Sequence, residues 1–193
     1  ISNYVLFELG HPTHIFDLDR LPENKILVRR ARQGEKIITL DEKEYELDNN
    51  NLLITSKDKP IALAGIMGGL NSAVTDETKN IFIESAYFDP ITIRKSAKSL
   101  FLSTEASKRY ERGIDPNGCI NAFSRVVSLI CEVTKGKLVS EVIDEYPCEI
   151  FPQEVNLRRS EIDLVLGYHI EDEIISETLI LLEFEYTIKD NMW

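Results

Sequence analysis

Residues 80–90, NIFIESAYFDP, place a strand pattern and a helix start side by side. In a strand, alternate residues share a face, so Phe82, Glu84, Ala86 and Phe88 are expected on one side, with a carboxylate set in an apolar row. Asp89 can cap free amides and Pro90 suits the first helical position, so a helix is predicted from there to about Leu100. Toward the N-terminus, KILVRRA (25–31), EKIITL (35–40), EYEL (44–47), LLIT (52–55) and PIALAGI (60–66) read as short, regularly spaced strands. Toward the C-terminus, a second helix is expected over 105–112, stopping at Gly113. A longer one starts after Asp115-Pro116, carries Ile120, Phe123, Val126, Val127, Ile130 and Val133 at helical spacing, and ends at Gly136. KLVSEVIDEY (137–146) looks like a further strand, and the prolines of YPCEIFPQE (146–154) suggest a boundary. Beyond it, SEIDLVLG resembles a capped helix ending at Gly167, and EDEIISETLILLEF a second amphipathic helix. The expected fold is therefore α+β: a sheet-rich layered domain with packed helices over 1–150, then a partial small helical module over 151–193.

A chain of 193 residues, 43% hydrophobic, with 9 Gly and 7 Pro, can bury one substantial core and part of another. No apolar run approaches the roughly 20 residues of a membrane span, and ISNYVLFELG lacks the succession of a signal peptide, so a cytoplasmic location without membrane partners is expected. Cys119, Cys131 and Cys148 are odd in number and lack C-x-x-C spacing, which points to buried, reduced thiols. The net charge of −11 argues against phosphate binding until its distribution is considered. Residues 141–185 hold 13 acidic and 2 basic residues, the whole of the imbalance. Between 94 and 112 the sign reverses, with Arg94, Lys95, Lys98, Lys108, Arg109 and Arg112 against Glu105 and Glu111. An RNA phosphate could be met there, although a solvated helix face is the commoner meaning of such a run.

Four stretches carry residue types suited to chemistry. GHPTHIFDLDR (10–20) sets His11 and His14 three apart, ahead of Asp17 and Asp19. Pro12 interrupts a helix, no Glu completes a zincin pattern, and His169 is the only other imidazole, so metal binding is disfavoured. A hydrogen-bonded structural histidine and a pocket-lining one both stay open. GIMGG (65–69) follows an apolar strand without the Lys-Ser or Lys-Thr of a phosphate loop, leaving a tight turn or a close backbone approach to another chain segment or a ligand. Glu84 is exposed at an edge, paired with a cation, or aimed into a cavity; for an isolated motif the ion pair is the default. In STEASKRYERGIDP (103–116), Ser103, Thr104 and Ser107 precede the basic helix, as caps or as holders of an ester, carboxylate or phosphate oxygen. No G-x-S-x-G elbow suggests a serine hydrolase.

Taken in order, NYVLFELGHPTHIFDLDRL, ALAGIMGGLNSAV, ESAYFDPITIR and STEASKRYERGIDP resemble the editing domain of the bacterial phenylalanyl-tRNA synthetase β subunit over roughly 1–150. VNLRRSEIDLVLG with EDEIISETLILLEF is similar to the start of the next domain, a nucleic-acid-binding-like module that Trp193 would truncate. The resemblance implies hydrolysis of tyrosine wrongly esterified to tRNA(Phe). It also implies the roles of five residues: Glu84 recognising the tyrosine hydroxyl, Gly68 and Ala106 shaping the aromatic pocket, and His14 and Thr104 beside the terminal adenosine and the ester. It implies neither metal nor cofactor for this segment, with a positioned water as the attacking group and a further pocket arginine upstream of Ile1. For the parent enzyme it implies ATP, Mg²⁺, an α subunit in an α2β2 assembly, and aminoacylation on that other subunit. Two rivals stand beside it: a non-catalytic RNA-binding or subunit-assembly module, and a metal-dependent hydrolase built on His11 and His14.

Overall fold

In the computed structural model, residues 1–189 and 192–193 are described, and they form two compact units, Ile1–Ile143 and Asp144–Trp193. The first begins with helix α1 (Ser2–Leu9), which Gly10 ends in the left-handed conformation at φ 69°. Strand β1 (Thr13–Asp17) follows and pairs antiparallel with the distant β8 (Ile81–Ser85). Between them lie β2 (Leu27–Arg30), β5 (Leu52–Ser56), β6 (Lys59–Leu63) and the short β7 (Met67–Gly68), an antiparallel sheet in that order, and the ribbon β3 (Lys36–Ile38)–β4 (Glu44–Glu46). The β5–β6 turn is Lys57-Asp58, both at positive φ (45° and 64°), the sense of turn that matches strand twist in a two-residue hairpin. Asp58 also pairs with Arg29 and Arg32.

The β1–β8 ribbon packs against other elements on both faces. One face contributes Phe16 and Phe82 to the main core, with Leu53, Ile61, Leu63 and Ile93. The other carries Ile15 and Ile83 against Val5 of α1 and against α4 (Gly118–Thr134). Helices α2 (Pro90–Ser99) and α3 (Glu105–Tyr110) pack against each other after β8. Asp89 accepts a hydrogen bond from the Thr92 amide at 2.7 Å with Pro90 in the first turn, the expected start.

Four expectations change. The buried stripe of α4 runs through Ala122, Val126, Leu129 and Ile130, so Ile120 and Val133 point outward; α1, absent from the sequence reading, decides which side is covered. KLVSEVIDEY forms no strand, and Val139 and Ile143 stand exposed: alternation without an edge to pair with does not make a sheet. No disulfide forms among the described residues, but Cys119 and Cys131 are half-buried, flanking the buried stripe of α4, and Cys148 is exposed. The α4 terminus is capped by Lys135 at φ 59°, one residue before the expected Gly136.

In the second unit, α5 (Arg159–Leu166) ends at Gly167 with φ 77°, as its sequence predicts, and α6 (Asp172–Leu181) follows. Leu157 and Trp193 exchange two backbone hydrogen bonds of 3.1 Å, and the Trp193 indole N–H donates to Ser176 at 3.1 Å beside the buried Ile175. Among the described residues no helix is long and apolar enough to cross a membrane.

Candidate functional site

Strand register decides where the chemistry gathers. His14 pairs with Glu84 and Phe16 with Phe82 across β1–β8, so all four project from one face of the ribbon. The His14 ring meets Phe16 edge-on at 4.5 Å. Against them comes β7, where Gly68 pairs with Ala62 of β6. A methyl built on Gly68 would lie 2.5 Å from His14 Nε2 and nearer still to Cε1, so only glycine lets this strand approach the imidazole. Gly65, at φ 67°, makes the preceding turn; a side chain there would strike Ile93 and Phe88. Gly65 thus makes the tight turn, and Gly68 lets the backbone approach another chain segment.

Helix α3 closes the site. Ala106 and Tyr110, one turn apart on its inner face, line the same cavity as His14, Gly68, Glu84 and Met67. Four of the five residues singled out in the sequence therefore converge from four elements. Thr104 does not line the cavity. Its hydroxyl accepts from the Ser107 amide at 3.0 Å and donates to the Ile66 carbonyl at 2.9 Å, capping α3 and fastening it to the glycine turn.

The cavity encloses about 60 Å³. That is the share of about two waters and less than the roughly 150 Å³ in which a benzene ring fits. The half-buried, unbranched Met67 is the wall residue best able to adapt to a ring.

Its polar groups are unusual in lacking partners. Glu84 makes neither a hydrogen bond nor an ion pair among the described residues, and protein atoms crowd it enough to push its pKa up to about 7, although the residue keeps intermediate exposure. His14 Nε2 and Thr13 Oγ1 are buried without a partner among the described residues, and burial lowers the His14 pKa to about 4. Buried polar groups are almost always paired, so the unpartnered His14 Nε2 and Thr13 Oγ1, in one cavity with the Glu84 carboxyl, make this a candidate binding site. The ion-pair reading of Glu84 does not hold among the described residues.

Tyr110 went unnoticed in the sequence. Its hydroxyl lies 3.0 Å from the Ala86 carbonyl and 3.3 Å from that of Pro12, tying together the segments that flank Glu84 and His14. The only signal was its position four residues after Ala106. The remaining acids of GHPTHIFDLDR are structural: Asp17 accepts from Thr78 at 2.6 Å and from the Asp19 amide at 3.0 Å, while Asp19 holds Asn80. Among the described residues, no three His, Cys, Asp or Glu side chains gather as a metal site. His11 is buried elsewhere, against Gly118.

The family model described as the B3/4 domain matches residues 1–135. The chain is 45% identical over 184 residues to the phenylalanine–tRNA ligase β subunit of Thermotoga maritima, covering 95% of this chain and 23% of that protein. It is 44% identical over 191 residues to the same subunit of Syntrophus aciditrophicus (98% and 24%) and 45% identical over 189 residues to that of Clostridium acetobutylicum (98% and 24%). The chain thus spans about a quarter of the length of these relatives. Among solved structures, an N-terminal fragment of the phenylalanyl-tRNA synthetase β subunit from Pyrococcus horikoshii aligns with a TM-score of 0.42 at 16% identity, over 99% of this chain and 56% of that one.

Proposed function

Because the chain belongs to the B3/4 domain family, in the form carried by phenylalanine–tRNA ligase β subunits, we propose that its small cavity edits tRNA(Phe) by hydrolysing tyrosyl esters. The observation that carries this reading is Glu84, a carboxyl without a partner among the described residues, in a cavity walled by His14, Gly68, Ala106 and Tyr110. A synthetic pocket shaped for phenylalanine rejects an isostere bearing one extra hydroxyl only about a hundredfold, whereas a site that hydrogen-bonds the hydroxyl can discriminate by about 10⁴ or more. A second sieve therefore needs an acceptor on an apolar wall, and Glu84 is that residue type.

In this scheme the tyrosine ring displaces the Met67 wall and its hydroxyl donates to Glu84. His14, neutral at physiological pH, faces the ester end with one unpaired nitrogen. Water adds to the ester carbonyl, the bond to the ribose oxygen breaks, and that oxygen takes the proton, releasing tyrosine and intact tRNA. Thr104 acts by holding α3, and hence Ala106 and Tyr110, against the turn at Ile66. ATP and Mg²⁺ serve the aminoacylation centre, assigned to an α subunit of an α2β2 enzyme, and no step here passes through them.

The test is Glu84→Ala in the assembled enzyme. Losing a hydrogen bond to a charged group costs about 1.5–3 kcal/mol, so deacylation of Tyr-tRNA(Phe) should slow roughly 10- to 100-fold while phenylalanine charging persists. Glu84→Gln, which keeps an acceptor oxygen, should lose less. Unchanged deacylation by a folded Glu84→Ala enzyme would leave the domain as an RNA-binding or assembly module.

A further inference from the structure

A second cleft, of about 680 Å³, lies on the other side of α3. The helix separates the two spaces by its periodicity: Ala106 and Tyr110 face the small cavity, while Glu105, Lys108, Arg109 and Arg112 face the cleft. The segment 10–14 is shared in the same way, with His11 in the cleft wall and Pro12 and His14 in the cavity wall. We propose that this cleft binds phosphodiester groups of the RNA strand whose acylated end enters the small cavity, an inference that rests on the editing reading above.

Charge supports it. Glu105 is shared between Lys108 at 3.0 Å and Arg109 at 2.9 Å, so one carboxylate serves two cations. Asp115, the other acid in the wall, accepts from the Asn117 amide. The Arg112 guanidinium is exposed and has no carboxylate or other acceptor among the described residues. The cleft thus keeps an excess of positive charge in a chain of net charge −11. His11 supplies an independent sign: it is 3% exposed, and its Nε2 has no partner among the described residues. Burial lowers its pKa, with the Ala86 carbonyl and Asp115 opposing, so the ring is an uncharged hydrogen-bonding group in the cleft wall. Asn121 adds an exposed amide on the opposite wall. The volume lies within the range of small-ligand sites and exceeds what one inorganic phosphate fills, so a strand fits better than a free ion. A helix is about 10 Å across with its side chains, so the two sites are close enough for one strand to occupy both.

The experiment uses the full-length enzyme carrying Lys108→Gln and Arg112→Gln together, two exposed changes that keep helix-compatible side chains. With Tyr-tRNA(Phe), the half-saturating concentration for deacylation should rise about tenfold at unchanged maximal rate. The log–log salt slope of tRNA binding should fall by about two, one for each lost phosphate contact. A tyrosyl-adenosine ester, which lacks phosphates, should be hydrolysed equally by the variant and the wild type. An unchanged half-saturation and salt slope would overturn the phosphodiester site, as would equal damage to the phosphate-free ester. If the wild type hydrolyses neither ester, the editing reading fails, and the salt slope of tRNA binding still decides whether the cleft holds phosphate.

Discussion

At the residue scale, His14 and Glu84 face each other with opposite shifts, which makes a stability prediction that their separate behaviour hides. The Glu84 carboxyl is raised from 4.5 to about 7 by burial. Below about pH 4.5 it is protonated whether folded or unfolded and its contribution is fully present; as pH rises toward 7 only the unfolded form ionises, and about 3 kcal/mol is lost. His14 is lowered from 6.5 to about 4, so its contribution is present above 6.5 and lost, by a similar amount, as pH falls toward 4. Between about pH 4.5 and 6.5 the two slopes cancel. Glu84→Gln removes one of them, and the denaturation free energy, measured in urea at half-unit pH steps, should then rise with pH across that window by about 1.4 kcal/mol per unit more than in the wild type. Parallel profiles would show that the two groups do not titrate as a buried pair. An alternating row in the sequence suffices to suspect Glu84, but the absence of any partner does not follow from residue order, since an ion pair could arrive from anywhere in the chain.

At the element scale, α3 is a six-residue helix with a wall of the cavity on one side and a wall of the cleft on the other. So short a helix is not stable by itself, and its position depends on its cap. Thr104→Ala removes both the bond from the Ser107 amide and the bond to the Ile66 carbonyl, and should cost about 1–2 kcal/mol of unfolding free energy. Thr104→Ser, which keeps the hydroxyl, should recover most of that stability and the deacylation rate with it. A Thr104→Ala protein of wild-type stability but impaired deacylation would instead return Thr104 to direct contact with substrate. The α2 start at Asp89-Pro90 and the α5 stop at Gly167 were readable because capping is local chemistry. The covered side of α4 was not, because Val5 of α1 selects it from more than 110 residues away.

At the scale of the whole molecule, the net charge of −11 lies within 141–185, outside the stretch that bears the cavity and the cleft. The 193-residue chain alone should therefore hold tRNA weakly, with affinity falling steeply as salt rises from 50 to 200 mM. Titration by fluorescence anisotropy checks this, and tight, salt-insensitive binding would contradict it. Composition, capping residues and alternation determined by themselves an α+β chain, most of its strands and helices, and a carboxylate set in an apolar row, since these depend on neighbours within a turn or a strand. Only the tertiary structure decided that β1 pairs with β8 in the register that sets His14 opposite Glu84, that Gly68 passes beneath the imidazole, and that Thr104 braces the site while Tyr110 lines it. Those contacts join residues 30 to 100 positions apart, and long-range packing, which removes water from several elements at once, leaves no periodic trace in any one of them.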